Sequence, residues 1–472
     1  MFEFFRKLFG YASEADSPTE KPKSEKQVGE KQASEPAPAP VQASRDEIKV
    51  SPANGATRYV VLGGGPAGVI ASETLRKMDK TGDILLIHGE DGQPYSRMAI
   101  PYYLSDMIDE AGTELRKSPG HYQDLGINVQ HGWVEGVSPD AGNIQMRGGQ
   151  TVPFDRLLVA TGASAIRPPI DGLDLPGVHA CWTIEDARNI VRLAEPGTHV
   201  VLLGAGFIGC IILEALVERG VKLSVVEMGD RMVPRMMNET AGNMLKRWCQ
   251  NKGVNVLTST SISKIEPSEG ADGEGLLVDL DNGEQMPAHL VVIAAGVRSN
   301  MGFLEGSGIK TDQGILVDKF LRSSHPNIYA AGDVAQGPDF STGGFSVHAV
   351  QPTAADHGRI AAINMAGGNA PFKGSLVMNV LDTVGLVSCS FGQWQGVEGG
   401  EQAERVDENA FKYVNLQFEG DHLVGAISLG RTDWVGVMRG LIQTKVPLGP
   451  WKQKLMSDPH LIAEAYVARA GT

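Results

Sequence analysis

"RYVVLGGGPAG", residues 58–68, decides the fold. A run of β-branched and aliphatic residues stops at a glycine cluster, and the helix-like "AGVIASETLRKM" (67–78) and a second strand-like run, "DILLIHG" (83–89), follow. In the G-x-G-x-x-G positions, Gly63 permits a tight turn, Gly65 lets backbone approach a pyrophosphate, and Gly68 lets helix and strand pack closely. The first turn of that helix, opened by Pro66, which has no N–H of its own, offers the amides from Ala67 onward as donors to phosphate. Past the second strand stands Glu90, a carboxylate placed for a ribose diol; His88 is nearer the strand end, and spacing alone leaves both positions open.

The pattern returns at 200–209, "VVLLGAGFIG", with Gly204, Gly206 and Gly209 in the same positions and Phe207 and Ile208 opening the helix. Glu227, in "VKLSVVEMGDR", ends the next strand, close to the ~20-residue spacing of an acid that grips an adenosine ribose. A carboxylate there repels a 2′-phosphate and favours NADH over NADPH, although Arg231 is near enough to temper the preference. Residues 289–296, "HLVVIAAG", echo "RLLVATG" at 156–162, so a second nucleotide unit is inserted into the first. A third element separates the two. "HPNIYAAGDVAQ" (325–336) runs a strand into Gly332 and Asp333, a carboxylate able to hydrogen-bond a polyol chain. FAD has ribitol hydroxyls for that role and NAD has no equivalent.

These stretches in this order, over residues 58–370, resemble the glutathione-reductase-like, two-dinucleotide flavoprotein family, the FAD-dependent pyridine nucleotide-disulfide oxidoreductases. The resemblance implies an α/β fold: two Rossmann-like domains, the second inserted in the first, then a C-terminal α+β interface domain. It implies FAD contacts from Gly63, Gly65, Pro66, Ala67, Gly68, Glu90, Arg97, Ala160, Thr161, Gly162, Gly332, Asp333 and Gln351. It implies NAD contacts from Gly204, Gly206, Phe207, Ile208, Gly209, Glu227 and Gly296. The expected divisions are an amphipathic segment (1–10), a linker (11–56), the FAD domain (57–172 and 295–370), the NAD domain (173–294) and a dimerisation domain (371–472).

"YSRMAIPYYL" (95–104) is similar to the segment over the flavin in NADH oxidases and coenzyme A disulfide reductases, rubredoxin or ferredoxin reductases, and nitrite reductase flavin portions. Where the single-cysteine relatives carry a thiol, this chain has Met98. A thioether forms no thiolate, mixed disulfide or sulfenic acid. Arg97 is expected as a flavin- or phosphate-facing cation, or else as a surface arginine. Ile211 stands where relatives place an acid near the nicotinamide, while Glu214 keeps the later helix acid. In "GGFSVHAVQPTAADHGR" (343–359), a helix starting near 352 would aim its N-terminus at the flavin pyrimidine and favour the anionic reduced ring. His348 either sits beside that edge and handles a proton or is an ordinary hydrogen-bonded histidine. The catalytic candidates are therefore Arg97, Met98 and His348.

The formal charge of −14 argues against nucleic acid. Four scattered cysteines form no C-x-x-C, and no metal ligand set is expected. The longest apolar run, "VVLLGAGFIGCIIL", is shorter than the ~20 residues that cross a bilayer. At the N-terminus Phe2, Phe5 and Phe9 can share a helical face at the tip of a Pro/Glu/Lys/Ser-rich tether. That tip suits docking to a partner subunit, contact with a membrane surface, or no function.

The expected protein is a cytoplasmic NAD(P)H oxidoreductase, either free, held in a complex or peripheral to a membrane, that exchanges electrons with a rubredoxin, a ferredoxin or an iron–sulfur subunit, in either direction. An oxygen-reducing NADH oxidase, a quinone reductase and a non-catalytic flavoprotein are the alternatives. His460, in "GPWKQKLMSDPHLIAEAY" (449–466), reads as a surface or interface residue.

Overall fold

A computed structural model describes residues 48–49, 55–268 and 275–469. The N-terminal segment and most of the linker lie outside them, and so do the expectations made for residues 1–10. The chain enters at β1 (Arg58–Leu62), α1 (Pro66–Met78), β2 (Asp83–His88), β3 (Ile127–His131) and β4 (Arg156–Val159). It continues through β5 (Val178–Ala180), α2 (Ile184–Leu193), β6 (His199–Leu203), α3 (Phe207–Glu218), β7 (Lys222–Val226), β8 (Asn255–Leu257) and β9 (Leu290–Ile293). It returns with β10 (Ile328–Ala330) and α4 (Gln351–Met365).

Two five-stranded parallel sheets result, ordered β10–β4–β1–β2–β3 and β8–β7–β6–β9–β5. Strands buried on both faces explain the near-continuous apolar runs of the sequence. Val60, Val61, Leu85 and Leu86 are buried in the first sheet and Val201, Leu202 and Val225 in the second. Each such side chain contributes roughly 1.5–3 kcal/mol. The two segments that cross between the sheets, Ala163–Ala165 and Val297–Ser299, pair antiparallel with each other.

The last region is an antiparallel sheet of β11 (Met378–Thr383), β12 (Leu386–Gly392), β13 (Glu401–Asp407), β14 (Lys412–Glu419) and β15 (His422–Leu429). Its order is β11–β12–β15–β14–β13. α5 (Val435–Thr444), α6 (Pro450–Ser457) and α7 (Ile462–Arg469) complete it. One face of the sheet packs on these helices through Phe391, Leu416 and Phe418. Leu381, Tyr413 and Ile427 join the core of the second sheet instead. No helix among the described residues is long and apolar enough to cross a membrane.

Candidate functional site

Both glycine loops are built by the same local constraints. Gly63 has φ +115 and donates to Ile87 O at 2.7 Å; Gly204 has φ +103 and donates to Val226 O at 2.8 Å. A Cβ on Gly63 would lie 2.1 Å from Ala160 O, and one on Gly204 2.6 Å from Ala294 O. Gly68 and Gly209 are equally hemmed in, with a Cβ falling 1.9 Å from Gly63 O and 2.1 Å from Gly204 O. The middle glycines differ. Gly65 and Gly206 face open space, the arrangement of a cradle waiting for a phosphate. α1 and α3 begin immediately after them and direct their free first-turn amides there.

A cleft of about 640 Å³ runs along the first loop, within the usual range for a cofactor site. Of the expected residues its walls include Gly63, Gly65, Pro66, Ala67, Glu90, Arg97, Met98, Ala160, Thr161, Gly162, Phe207, Ile208, Gly332, Asp333 and Gln351. Gly68 is withdrawn into the α1–β1 packing. Gly204, Gly206, Gly209, Glu227 and Gly296 lie outside this cleft, around the second loop.

Asp333 fits a polyol partner. No described residue hydrogen-bonds its carboxylate, and burial pushes its pKa up to about 6, against the opposing pull of Arg97. A group held in this state gains from hydroxyl donors, which a ribitol chain supplies. Thr161 is fixed by reciprocal bonds with Asn300: its hydroxyl donates to Asn300 O at 3.0 Å, and Asn300 Nδ2 donates to Thr161 O at 3.0 Å. α4 presents its first turn to the cleft through Gln351 and Ala354 and crosses α1 closely, since a Cβ on Gly358 would lie 2.2 Å from Ala67 O. The residues therefore fit FAD in the first cleft and a pyridine dinucleotide at the second loop.

Both His88 and Glu90 line the first cleft, and backbone register distinguishes their places. Gly63 bonds to Ile87 O as Gly204 bonds to Val226 O, so His88 is the counterpart of Glu227. Glu90, two residues on, turns to Arg97 Nη2 at 2.5 Å and to the Tyr95 hydroxyl at 2.5 Å. Glu227 instead accepts from the Ala205 amide at 2.7 Å and the Gly229 amide at 2.7 Å, inside its own glycine loop.

His348 stands beside the cleft as a hydrogen-bonded histidine. It is not on the cleft wall, although its neighbour Ala349 is. Its Nε2 lies 2.9 Å from Ser346 Oγ and 3.6 Å from Asp339, whose carboxylate also receives the Ser346 hydroxyl at 2.7 Å. Burial lowers the His348 pKa.

Sequence reasoning also missed part of the wall. Trp133 and Val134 line one end, and Cys181 and Trp182, from the loop between β5 and α2, line another. No motif marks them, because a loop from the other sheet brings in 181 and 182. Cys181 is the one cysteine on this wall, and burial raises its thiol far above the usual range. Burial likewise raises Cys210 and pushes Cys249 and Cys389 up to about 12. None is a thiolate at neutral pH. Met98 is 46% exposed, and Phe207, Ile208 and Ile211 add apolar surface to the same wall.

A family model for pyridine nucleotide-disulphide oxidoreductases matches residues 57–366. The chain is 29% identical over 406 residues to the NADH-dependent phenylglyoxylate dehydrogenase subunit epsilon of Aromatoleum evansii, covering 85% of this chain and 95% of that subunit. It is 30% identical over 333 residues to an NADH oxidase of Methanocaldococcus jannaschii, covering 67% of this chain and 71% of the oxidase. Among solved structures, the covalent putidaredoxin reductase–putidaredoxin complex contains a chain with the same fold. Its TM-score is 0.81 at 21% identity, over 88% of this chain and 99% of that one.

Proposed function

The chain belongs to the pyridine nucleotide-disulphide oxidoreductase family, and from that premise we propose that it moves reducing equivalents between NADH and a protein electron carrier through bound FAD. Bound FAD supplies the exchange between a two-electron donor and a one-electron acceptor. The chain's own part is binding, alignment and electrostatics. Gly65 and the first turn of α1 hold the flavin's pyrophosphate, and Asp333 its ribitol. Gly206, the first turn of α3 and Glu227 hold the pyridine nucleotide, and the carboxylate of Glu227 selects NADH over NADPH. Met98, Phe207, Ile208 and Ile211 would give the rings an apolar wall, and the N-terminus of α4 would favour negative charge on the reduced flavin.

The observation that carries this reading is the lack of a reactive sulfur at the ring end. Met98 is a thioether, and Cys181 is buried and neutral. Reducing equivalents therefore leave for an outside acceptor, with no protein disulfide as relay. We assign that acceptor to the iron–sulfur class, as a small carrier or a partner subunit. The subunit status of the Aromatoleum evansii relative supports the second form. In this scheme residues 1–10 tether the partner and raise its local concentration, and residues 371–472 pair two copies of the chain.

Anaerobic NADH should bleach the bound flavin, and the reduced protein should then reduce a ferredoxin-type carrier faster than oxygen. Failure to bleach would end the reading. Faster oxygen consumption would select the oxidase instead, a second reading favoured by the exposure of Met98.

A further inference from the structure

The segment that carries Met98 is gripped from three directions. Ser96 Oγ donates to Gln351 Oε1 at 2.7 Å, tying it to the start of α4. Glu90, past the end of β2, holds Arg97 Nη2 at 2.5 Å. The third grip comes from the inserted half of the molecule. Arg97 Nη1 donates to Trp182 O at 2.5 Å, and the guanidinium lies over the Trp182 ring, 5.1 Å from its centroid. Beside it the Ile184 amide donates to the Tyr95 hydroxyl at 3.1 Å.

Trp182 is itself immobilised. Its indole Nε1 donates to Ala163 O at 2.7 Å, in the strand that crosses between the sheets. Its amide and that of Thr183 donate to Asp186 Oδ2 at 3.1 and 2.8 Å, within the capping box that starts α2. A continuous chain of contacts thus runs from β2 through Glu90, Arg97 and Trp182 to the first turn of α2. Arg97 satisfies a carboxylate and a carbonyl with separate arms of one planar fork while its face covers an indole, a combination the single ammonium of lysine does not reproduce.

We infer that Arg97 and Trp182 form an interlock that fixes the Met98 segment against the nicotinamide-binding half and so sets the distance at which the two rings meet. This rests on the reading given under Proposed function. Both are positioning residues. The interlock needs no charge at the ring itself, so Arg97 acts through placement.

The test uses full-length holoprotein carrying Arg97→Lys, Trp182→Leu or Trp182→Phe. Anaerobic rapid mixing with NADH separates the apparent Kd from the limiting rate of flavin bleaching. Arg97→Lys and Trp182→Leu should each lower the limiting rate by about tenfold or more, because small misplacements of reacting groups are costly. Flavin content should be retained, and the apparent Kd should stay within about twofold, because the second glycine loop is untouched. Trp182→Phe keeps a ring beneath the guanidinium and should recover most of the rate.

Hydrogen exchange supplies a readout independent of turnover. The peptide spanning 181–186 should exchange faster in the two disruptive variants, and the peptide spanning 412–419 should not change. An unaltered limiting rate with flavin bound, or a rate loss that only tracks flavin loss, would overturn the interlock. If NADH failed to bleach even the wild-type protein, the proposed function would fall. Unchanged exchange at 181–186 would still refute the interlock on its own.

Discussion

The two glycine loops are near copies in backbone and differ in what stands at the end of the following strand. Gly63 and Gly204 carry the same positive φ and the same bond to that strand, and Ala160 and Ala294 press on them in the same way. The next residue is His88 in one unit and Glu227 in the other. His88 is buried against Gly64, with its pKa lowered by burial and by His131, whereas Glu227 keeps a carboxylate inside its loop. Close packing fixes a phosphate cradle in both. We assign the difference in ligand to the added groups: Asp333, just past β10, for the first cradle, and Glu227 for the second.

The sharpest way to break this comparison is to make the same clash in each loop. Gly68→Ala and Gly209→Ala place a Cβ about equally close to backbone oxygen, at 1.9 and 2.1 Å. Each should cost its own unit about 3 kcal/mol or more. Gly68→Ala should yield protein without flavin. Gly209→Ala should retain flavin and lose its bleaching by NADH. Identical phenotypes would remove the assignment of separate ligands.

A smaller effect is expected from Glu227→Ala, which deletes a charged hydrogen-bonding group, an effect of about 1.5–3 kcal/mol. The apparent Kd for NADH should rise roughly 10- to 100-fold with flavin content unchanged, measured by anaerobic titration. An equal loss of flavin would contradict the placement.

Asp333 gives a pH-dependent test. Its folded pKa, about 6, lies above the ordinary 3.8, so in cofactor-free protein its ionisation opposes folding. The cost is absent below the unfolded value, grows as pH rises, and is complete above about pH 6. Asp333→Asn should therefore stabilise flavin-free protein at pH 7 by about 3 kcal/mol and make no difference near pH 3. It should also weaken FAD binding. Thermal denaturation across that range checks the sign, and a gain confined to low pH would contradict it.

Met98→Ala should matter least. If its thioether only packs, NADH-to-dye turnover should change by less than about threefold. Abolition with flavin retained would make Met98 a ring-positioning residue.

How legible this was in the sequence follows from how each feature is encoded. The glycine fingerprints could be read because each glycine answers a local steric demand within a few residues of its strand and helix. Asp333 could be read for the same reason, at the end of its own strand. Trp182 could not, because it reaches the cleft from another sheet and only tertiary contact brings it to Arg97. The equivalence of His88 with Glu227 needed backbone register, which composition and spacing do not contain. His348 lies beside a cleft residue in sequence, but Asp339 and Ser346 draw its ring away from the wall.

The central claim is ring-to-ring transfer with no thiol between. The most direct test is an anaerobic NADH titration of purified protein carrying Cys181→Ala, which removes the one thiol on the cleft wall. Flavin bound to the chain should bleach to the same extent and at the same rate as in the wild type. Absence of flavin, or loss of bleaching in the variant while flavin remains bound, would contradict the account.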